Sequence, residues 1–192
     1  MGRPAHQLKW CVLCKGGEYN MEIDLRPVAD TRIEDVPVDD LGFGKVFSDH
    51  MFVMSWNGER WIDPRIQAYD KIEIIPSALA LHYGQSVFEG LKAYRGLSDG
   101  KIRLFRLDMN AQRLAASCER LCIPAVPEEI FTQSICELVS LDKEWVPHGP
   151  DRSLYVRPLI FGAEGTLAVR PASEYQFLVM TAPVQEYFNR GG

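Results

Sequence analysis

Over two adjoining stretches the apolar residues recur at three- and four-residue intervals, which demands two consecutive amphipathic helices in the middle of the chain. Leu107, Ala111, Leu114, Ala115, Cys118, Leu121 and Cys122 share one face of the first, with Asp108 as its expected cap and Pro124 as its stop. The second starts at Pro127, where a missing N–H costs nothing, and Glu128 and Glu129 complement the positive end of its dipole. Its stripe is Ile130, Phe131, Ser134, Ile135, Leu138 and Val139, and it runs out by Pro147.

The flanking sequence reads as strands. Asn57-Gly58 supplies the positive φ angles of a tight turn and predicts a β-hairpin over residues 52–62. Lys71 to Ile75 alternates before Pro76 and predicts another strand, and residues 93–94 and 101–105 flank Gly96 to Gly100 as a second hairpin. Ser153 to Phe161 and Tyr175 to Ala182 are further strands. An antiparallel sheet with two or more helices is an α+β architecture. Residues 1–40 read as an N-terminal extension and arm, residues 41–184 as the folded domain, and residues 185–192, ending Asn189-Arg190-Gly191-Gly192, as the start of a linker to another domain.

With 46% hydrophobic residues in a chain of 192 residues, there is enough apolar material for one sizeable core. A net charge of −5 without a block of either sign argues against a nucleic-acid partner, and no apolar run reaches spanning length, which argues against a membrane partner. Residues 1–20 carry no secretory or transit pattern, which favours a cytoplasmic protein over the mitochondrial alternative. Cys118, Cys122 and Cys136 read as reduced core residues. The Cys11-Val12-Leu13-Cys14 pair lacks a second pair or a histidine cluster, and His6, His50, His82 and His148 are scattered, so no metal is expected.

Candidate chemistry concentrates in Leu81 to Tyr94. Gly84 and Gly90 let backbone approach a ligand that Tyr83, Phe88 and Tyr94 enclose, although each ring taken singly has an ordinary explanation as core. Arg113 lies beside the helical stripe, either reaching inward toward a phosphate or solvated on the helix surface. A period of two puts Tyr155 and Arg157 on one strand face, as a binding wall or as a structural pair. Glycine-rich phosphate loops and nucleophile elbows are absent.

Five runs appear together in one order: residues 42–51 (Gly-Phe-Gly-Lys-Val-Phe-Ser-Asp-His-Met), residues 81–90, Arg103-Leu104-Phe105-Arg106, Ser153 to Pro158, and Glu186-Tyr187-Phe188. From Leu41 to about Arg190 the chain thereby resembles the amino-terminal domain of the branched-chain amino-acid aminotransferases, pyridoxal 5'-phosphate enzymes of fold type IV. The resemblance implies that Arg113 holds the cofactor phosphate. It implies that Phe43, Tyr83, Phe88, Tyr155 and Tyr187 receive a branched aliphatic side chain, and that Arg157 recognises the second carboxylate of glutamate or 2-oxoglutarate. Leu167 and Val169 resemble loop residues that reach a neighbouring subunit's pocket, which implies a homodimer. Tyr83, Arg113, Tyr155 and Arg157 are then expected on one cleft.

None of the seven lysines (Lys9, Lys15, Lys45, Lys71, Lys92, Lys101 and Lys143) falls in the family's lysine motif, which would follow Gly192. On that resemblance the chain holds no catalytic residue, is incomplete, binds the cofactor weakly, is inactive alone and would need a carboxy-terminal domain as complementing fragment. A D-amino-acid aminotransferase or aminodeoxychorismate lyase of the same fold, or a non-catalytic dimerisation or binding module, stays open as an alternative.

Overall fold

The computed structural model describes residues 10–12, 21–36 and 41–185. In chain order the elements are β1 (Trp10–Val12), β2 (Asp24–Leu25), β3 (His50–Trp56), β4 (Trp61–Ala68), α1 (Leu79–Tyr83), β5 (Ser86–Phe88), β6 (Leu91–Arg95), β7 (Ile102–Phe105), α2 (Leu107–Arg120), α3 (Glu128–Leu141), β8 (Ser153–Gly162) and β9 (Tyr175–Val184). The strands among the described residues form one sheet in the order β1-β7-β6-β8-β9-β3-β4-β2, with β5 also pairing β8. All pairings are antiparallel except β2 with β4, so the α+β expectation holds.

The period of two sorts each strand between two faces. Phe52 and Met54 of β3, Leu154, Val156 and Ile160 of β8, and Phe177 and Val179 of β9 enter the core shared with α2 and α3. Met51, Val53, Phe161 and Leu178 form a smaller cluster apart from it. From the helices, Leu107, Ala111, Leu114 and Cys118, then Phe131, Ile135, Leu138 and Val139, complete the main core.

A break in the sheet positions the site. β5 pairs residues 159–161 of β8 and β6 pairs residues 154–156, leaving Glu89 and Gly90 at the gap. Pro158 sits opposite that gap, and its carbonyl accepts the Glu89 N–H at 3.0 Å. In an antiparallel strand a residue's N–H and C=O point to the same side, so the donor that Pro158 lacks falls where the neighbouring strand is interrupted.

Four local expectations are corrected. Lys71 to Ile75 is not a strand: among the described residues it pairs with no strand of the sheet and only its Ile72 packs against a core cluster, so Ile74 and Ile75 stay exposed. Asp108 is not the cap of α2, which begins one residue earlier behind a left-handed Arg106; Asp108 accepts instead from Arg106 Nε at 3.2 Å. Leu121 and Cys122 leave the helical stripe because α2 stops at Arg120 and Cys122 turns left-handed, with Ile123 N–H bonding back to the Cys118 carbonyl. Cys122 is consequently exposed and Ile123 takes the core position; Cys118 stays buried, which pushes its thiol up to about 11. Helix α1 and strands β2 and β5 are too short to leave a periodic signal.

The arm is fastened by a buried polar cluster. Asp49 accepts from Thr31 Oγ1, the Arg32 N–H and Trp145 Nε1, while His50 Nδ1 meets Asp142 at 2.6 Å and His50 Nε2 accepts the Val28 N–H at 2.9 Å. Burial pushes the Asp49 carboxyl up, but those bonds outweigh it and hold it below its ordinary value. No helix among the described residues is long and apolar enough to cross a membrane.

Candidate functional site

Tyr155 and Arg157 project side by side from β8. Arg157 Nη2 donates to the Tyr155 hydroxyl at 2.9 Å, and its guanidinium carbon lies 4.3 Å from the centre of the Phe88 ring. Phe43 meets Tyr155 edge-on, with ring centres 5.0 Å apart. Phe43, Tyr155 and Arg157 border a hollow of about 240 Å³ whose other walls include Phe47, Leu159 and Met180, and Arg157 is the one charged group among the described lining residues.

Tyr155 is also a wall of a second cleft, of about 470 Å³, lined by Gly90, Lys92, Tyr94, Arg106, Asn110 and Arg113 among others. Gly90 is required there, because a Cβ at that position would collide with the Tyr155 hydroxyl. The glycine therefore seats the phenol that Arg157 grips, a link between residues far apart in the chain.

Arg113 stands on α2 with its side chain 67% exposed, while that of its partner Glu89 is only 3% exposed. Arg113 Nε and Nη2 each donate to a different oxygen of Glu89 at 2.6 Å, and Asn110 Nδ2 donates to the same carboxylate at 2.8 Å. Burial pushes the Glu89 carboxyl up, yet the bonds from Arg113 and Asn110 prevail and keep it below its usual value. Asn110 and Arg113, three apart on α2, present adjacent side chains to Glu89.

Tyr83 lies elsewhere. It ends α1, Gly84 then turns left-handed, and the Tyr83 hydroxyl donates to the Leu167 carbonyl at 2.7 Å. It lines a surface hollow with Val169 and Pro171. Leu167 and Val169 are 64% and 87% exposed. Their loop is clamped at its base, where Arg170 donates to both oxygens of Glu164 and the Ser173 N–H donates to the same carboxylate. The Arg170 and Ser173 bonds draw the Glu164 carboxyl down to about 2.

The structure thus brings Arg113, Tyr155, Arg157 and Phe43 to two adjoining hollows, sets Phe88 behind the Arg157 guanidinium, and groups Tyr83 with Leu167 and Val169 apart from them. Tyr187 and Cys14 lie outside the described residues. Glu89, Asn110 and Lys92 join the candidate site without having been singled out by sequence. For Asn110 the three-residue spacing to Arg113 was the available signal; Glu89 carried none beyond its place before Gly90. No group of three or more metal-ligating side chains occurs among the described residues.

Residues 86–188 match the family model of amino-transferase class IV. The chain is 42% identical over 176 residues to a protein of Mycolicibacterium smegmatis named branched-chain-amino-acid aminotransferase, covering 91% of this chain and 47% of that protein. It is 45% identical over 149 residues to branched-chain-amino-acid transaminase 1 of Bacillus subtilis, covering 77% of this chain and 42% of the relative. Its fold is similar to the crystal structure of the Escherichia coli branched-chain amino acid aminotransferase, with a TM-score of 0.52 and 25% identity over 71% of this chain and 40% of that one. The chain spans about half the length of the curated relatives it matches or less.

Proposed function

Since the chain belongs to the class IV aminotransferases, we propose that it supplies the substrate-facing wall of a branched-chain amino-acid aminotransferase, which passes the amino group of Leu, Ile or Val to 2-oxoglutarate through pyridoxal 5'-phosphate. The names of its relatives support the substrate class. The observation that carries the reading is Arg157, held between the Phe88 ring and the Tyr155 hydroxyl at an otherwise uncharged hollow. Such a hollow meets the two demands of the reaction. Phe43, Leu159 and Met180 offer apolar walls to a branched side chain, and the guanidinium answers the second carboxylate of a dicarboxylic acid.

The neighbouring cleft suits a phosphate. Arg113, Lys92 and Arg106 all line it, and Tyr155 separates it from the aliphatic hollow. When bound, pyridoxal phosphate supplies the electron sink for amino transfer. This chain's own residues bind and orient: Arg113 takes the phosphate, Tyr155 holds the boundary between cofactor and substrate, Phe43 walls the apolar side, and Phe88 backs the Arg157 guanidinium.

Tyr83, Leu167 and Val169 form an exposed group that we assign to a second copy of the chain, giving a homodimer in which this loop enters the partner's site; on the resemblance alone we also assign Tyr187 a role in receiving the aliphatic side chain. Residues 41–184 act as the domain in this scheme, residues 1–40 as the extension and arm, and residues 185–192 as the linker. The buried thiols Cys118 and Cys136 suit a cytoplasmic setting. By itself the chain, whose lysines lie outside the family's lysine motif, is expected to perform no amino transfer.

In a protein carrying this sequence, Arg157→Gln is expected to raise the KM for 2-oxoglutarate by about tenfold or more, the worth of one charged hydrogen bond, and to change that for leucine far less. Equal losses for both substrates, or preference for D-alanine over L-leucine in the unsubstituted protein, would overturn the reading.

A further inference from the structure

We infer that Glu89 is the positioning residue of the phosphate cleft: it fixes the Arg113 guanidinium so that one edge is spent on the protein and the other is turned to the anion. The inference rests on the proposed role of Arg113. An arginine side chain that is 67% exposed ordinarily samples many rotamers. Here Nε and Nη2 are both committed to a carboxylate that is 3% exposed and is itself held by Asn110 Nδ2 and by the Gly90 N–H at 3.3 Å. Nη1 makes no hydrogen bond among the described residues, and Arg113 lines the cleft together with Lys92 and Arg106.

The arrangement differs from a surface ion pair in two ways. The carboxylate cannot follow the arginine, because burial in the gap between β5 and β6 and two further donors hold it. Its negative charge also opposes an incoming anion, so on charge alone the pair is a poor anion site. Orientation is the gain that offsets this: a phosphate meets a guanidinium already in place, without the loss of rotamer freedom that an unrestrained arginine suffers on binding. Because Glu89 is adjacent to Gly90, and Gly90 seats Tyr155, the same corner aligns the phosphate grip with the wall of the substrate hollow.

The test uses the 192-residue chain labelled with ¹⁵N and two probes, pyridoxal 5'-phosphate and inorganic phosphate. In the unsubstituted chain the Arg113 Nε–H signal is expected to be slowly exchanging, unlike those of surface arginines, and a freely exchanging signal overturns the inference even if every variant fails to fold. Glu89→Gln should release that signal and weaken both probes by about tenfold, the cost of reordering one long side chain. Glu89→Asp should weaken them too, since it keeps the charge but withdraws the carboxylate by a methylene. Unchanged or tighter binding by Glu89→Gln would make Glu89 a counter-charge and sink the positioning role alone. The double variant Glu89→Gln with Arg113→Met leaves no unpaired charge and should abolish saturable binding; if binding survives it, Arg113 is not the phosphate residue and the underlying reading falls with it.

Discussion

Two carboxylate and arginine pairs of nearly equal geometry do different work in this molecule. Arg113 meets Glu89 at 2.6 Å and Arg170 meets Glu164 at 2.5 Å, both through two nitrogens. Glu89 lies in the break of the sheet at 3% exposure, whereas the Glu164 side chain is 16% exposed and closes a surface loop. Length is thus a poor guide to role. What separates them is which partner is free to move: at the sheet break the carboxylate is anchored and the arginine is aimed, while at the loop both ends can relax into water.

The largest expected effect comes from stranding the buried partner. Arg113→Ala should lower the unfolding free energy by about 3 kcal/mol or more, because Glu89 is left with only Asn110 and a backbone N–H. Urea denaturation checks this, and a loss no greater than that of Arg170→Ala would erase the contrast. Gly90→Ala comes next: the added methyl must displace the Tyr155 ring, at about 1–3 kcal/mol, and should cut Arg157 loose from its hydroxyl partner. Loss of the Phe88 and Arg157 ring contact in the structure of that variant would sharpen the comparison, and an unmoved Tyr155 would break it.

Smallest in stability is the loop pair, and its signature is pH. The Glu164 carboxyl is lowered from 4.5 to about 2, so its contribution is fully present above about pH 4.5 and is lost as pH falls through 2. Hydrogen exchange at Ala168 and Ser173 should rise over that interval, and Glu164→Gln should show the raised rate at every pH. The Glu89 carboxyl is lowered as well, so its pair is likewise lost on acidification. Its loss should register as weaker phosphate binding rather than as loop exchange; the same response at both places would mean the two pairs are one cooperative unit.

Helices α2 and α3 were legible because each buries a stripe that its own periodicity announces, and Asn57-Gly58 announced the β3 and β4 hairpin, although only Gly58 takes a positive φ and the loop runs on to Arg60, with Asn57 Oδ1 accepting the Glu59 and Arg60 N–H groups. Tyr155 and Arg157 were legible as neighbours for the equally local reason that strand side chains alternate. Lys71 to Ile75 misled because alternation without a pairing strand makes no strand, and Cys122 for want of one more helical turn. Tyr83 joined the expected lining by its place among glycines, yet its hydroxyl turns to the Leu167 carbonyl, 84 residues away.

Residue periodicity and turn chemistry act over a few positions, and so the order of the longer elements (β3, β4, β6, β7, α2, α3, β8 and β9), the apolar stripes and the shared face of Tyr155 and Arg157 were determined by the sequence alone. The seat of Tyr155 on Gly90, the gap that Pro158 faces and the grip of Glu89 on Arg113 were decided only by tertiary structure. Each joins segments whose separation no local pattern encodes, and each depends on burial, which belongs to the packed sheet rather than to any residue in it.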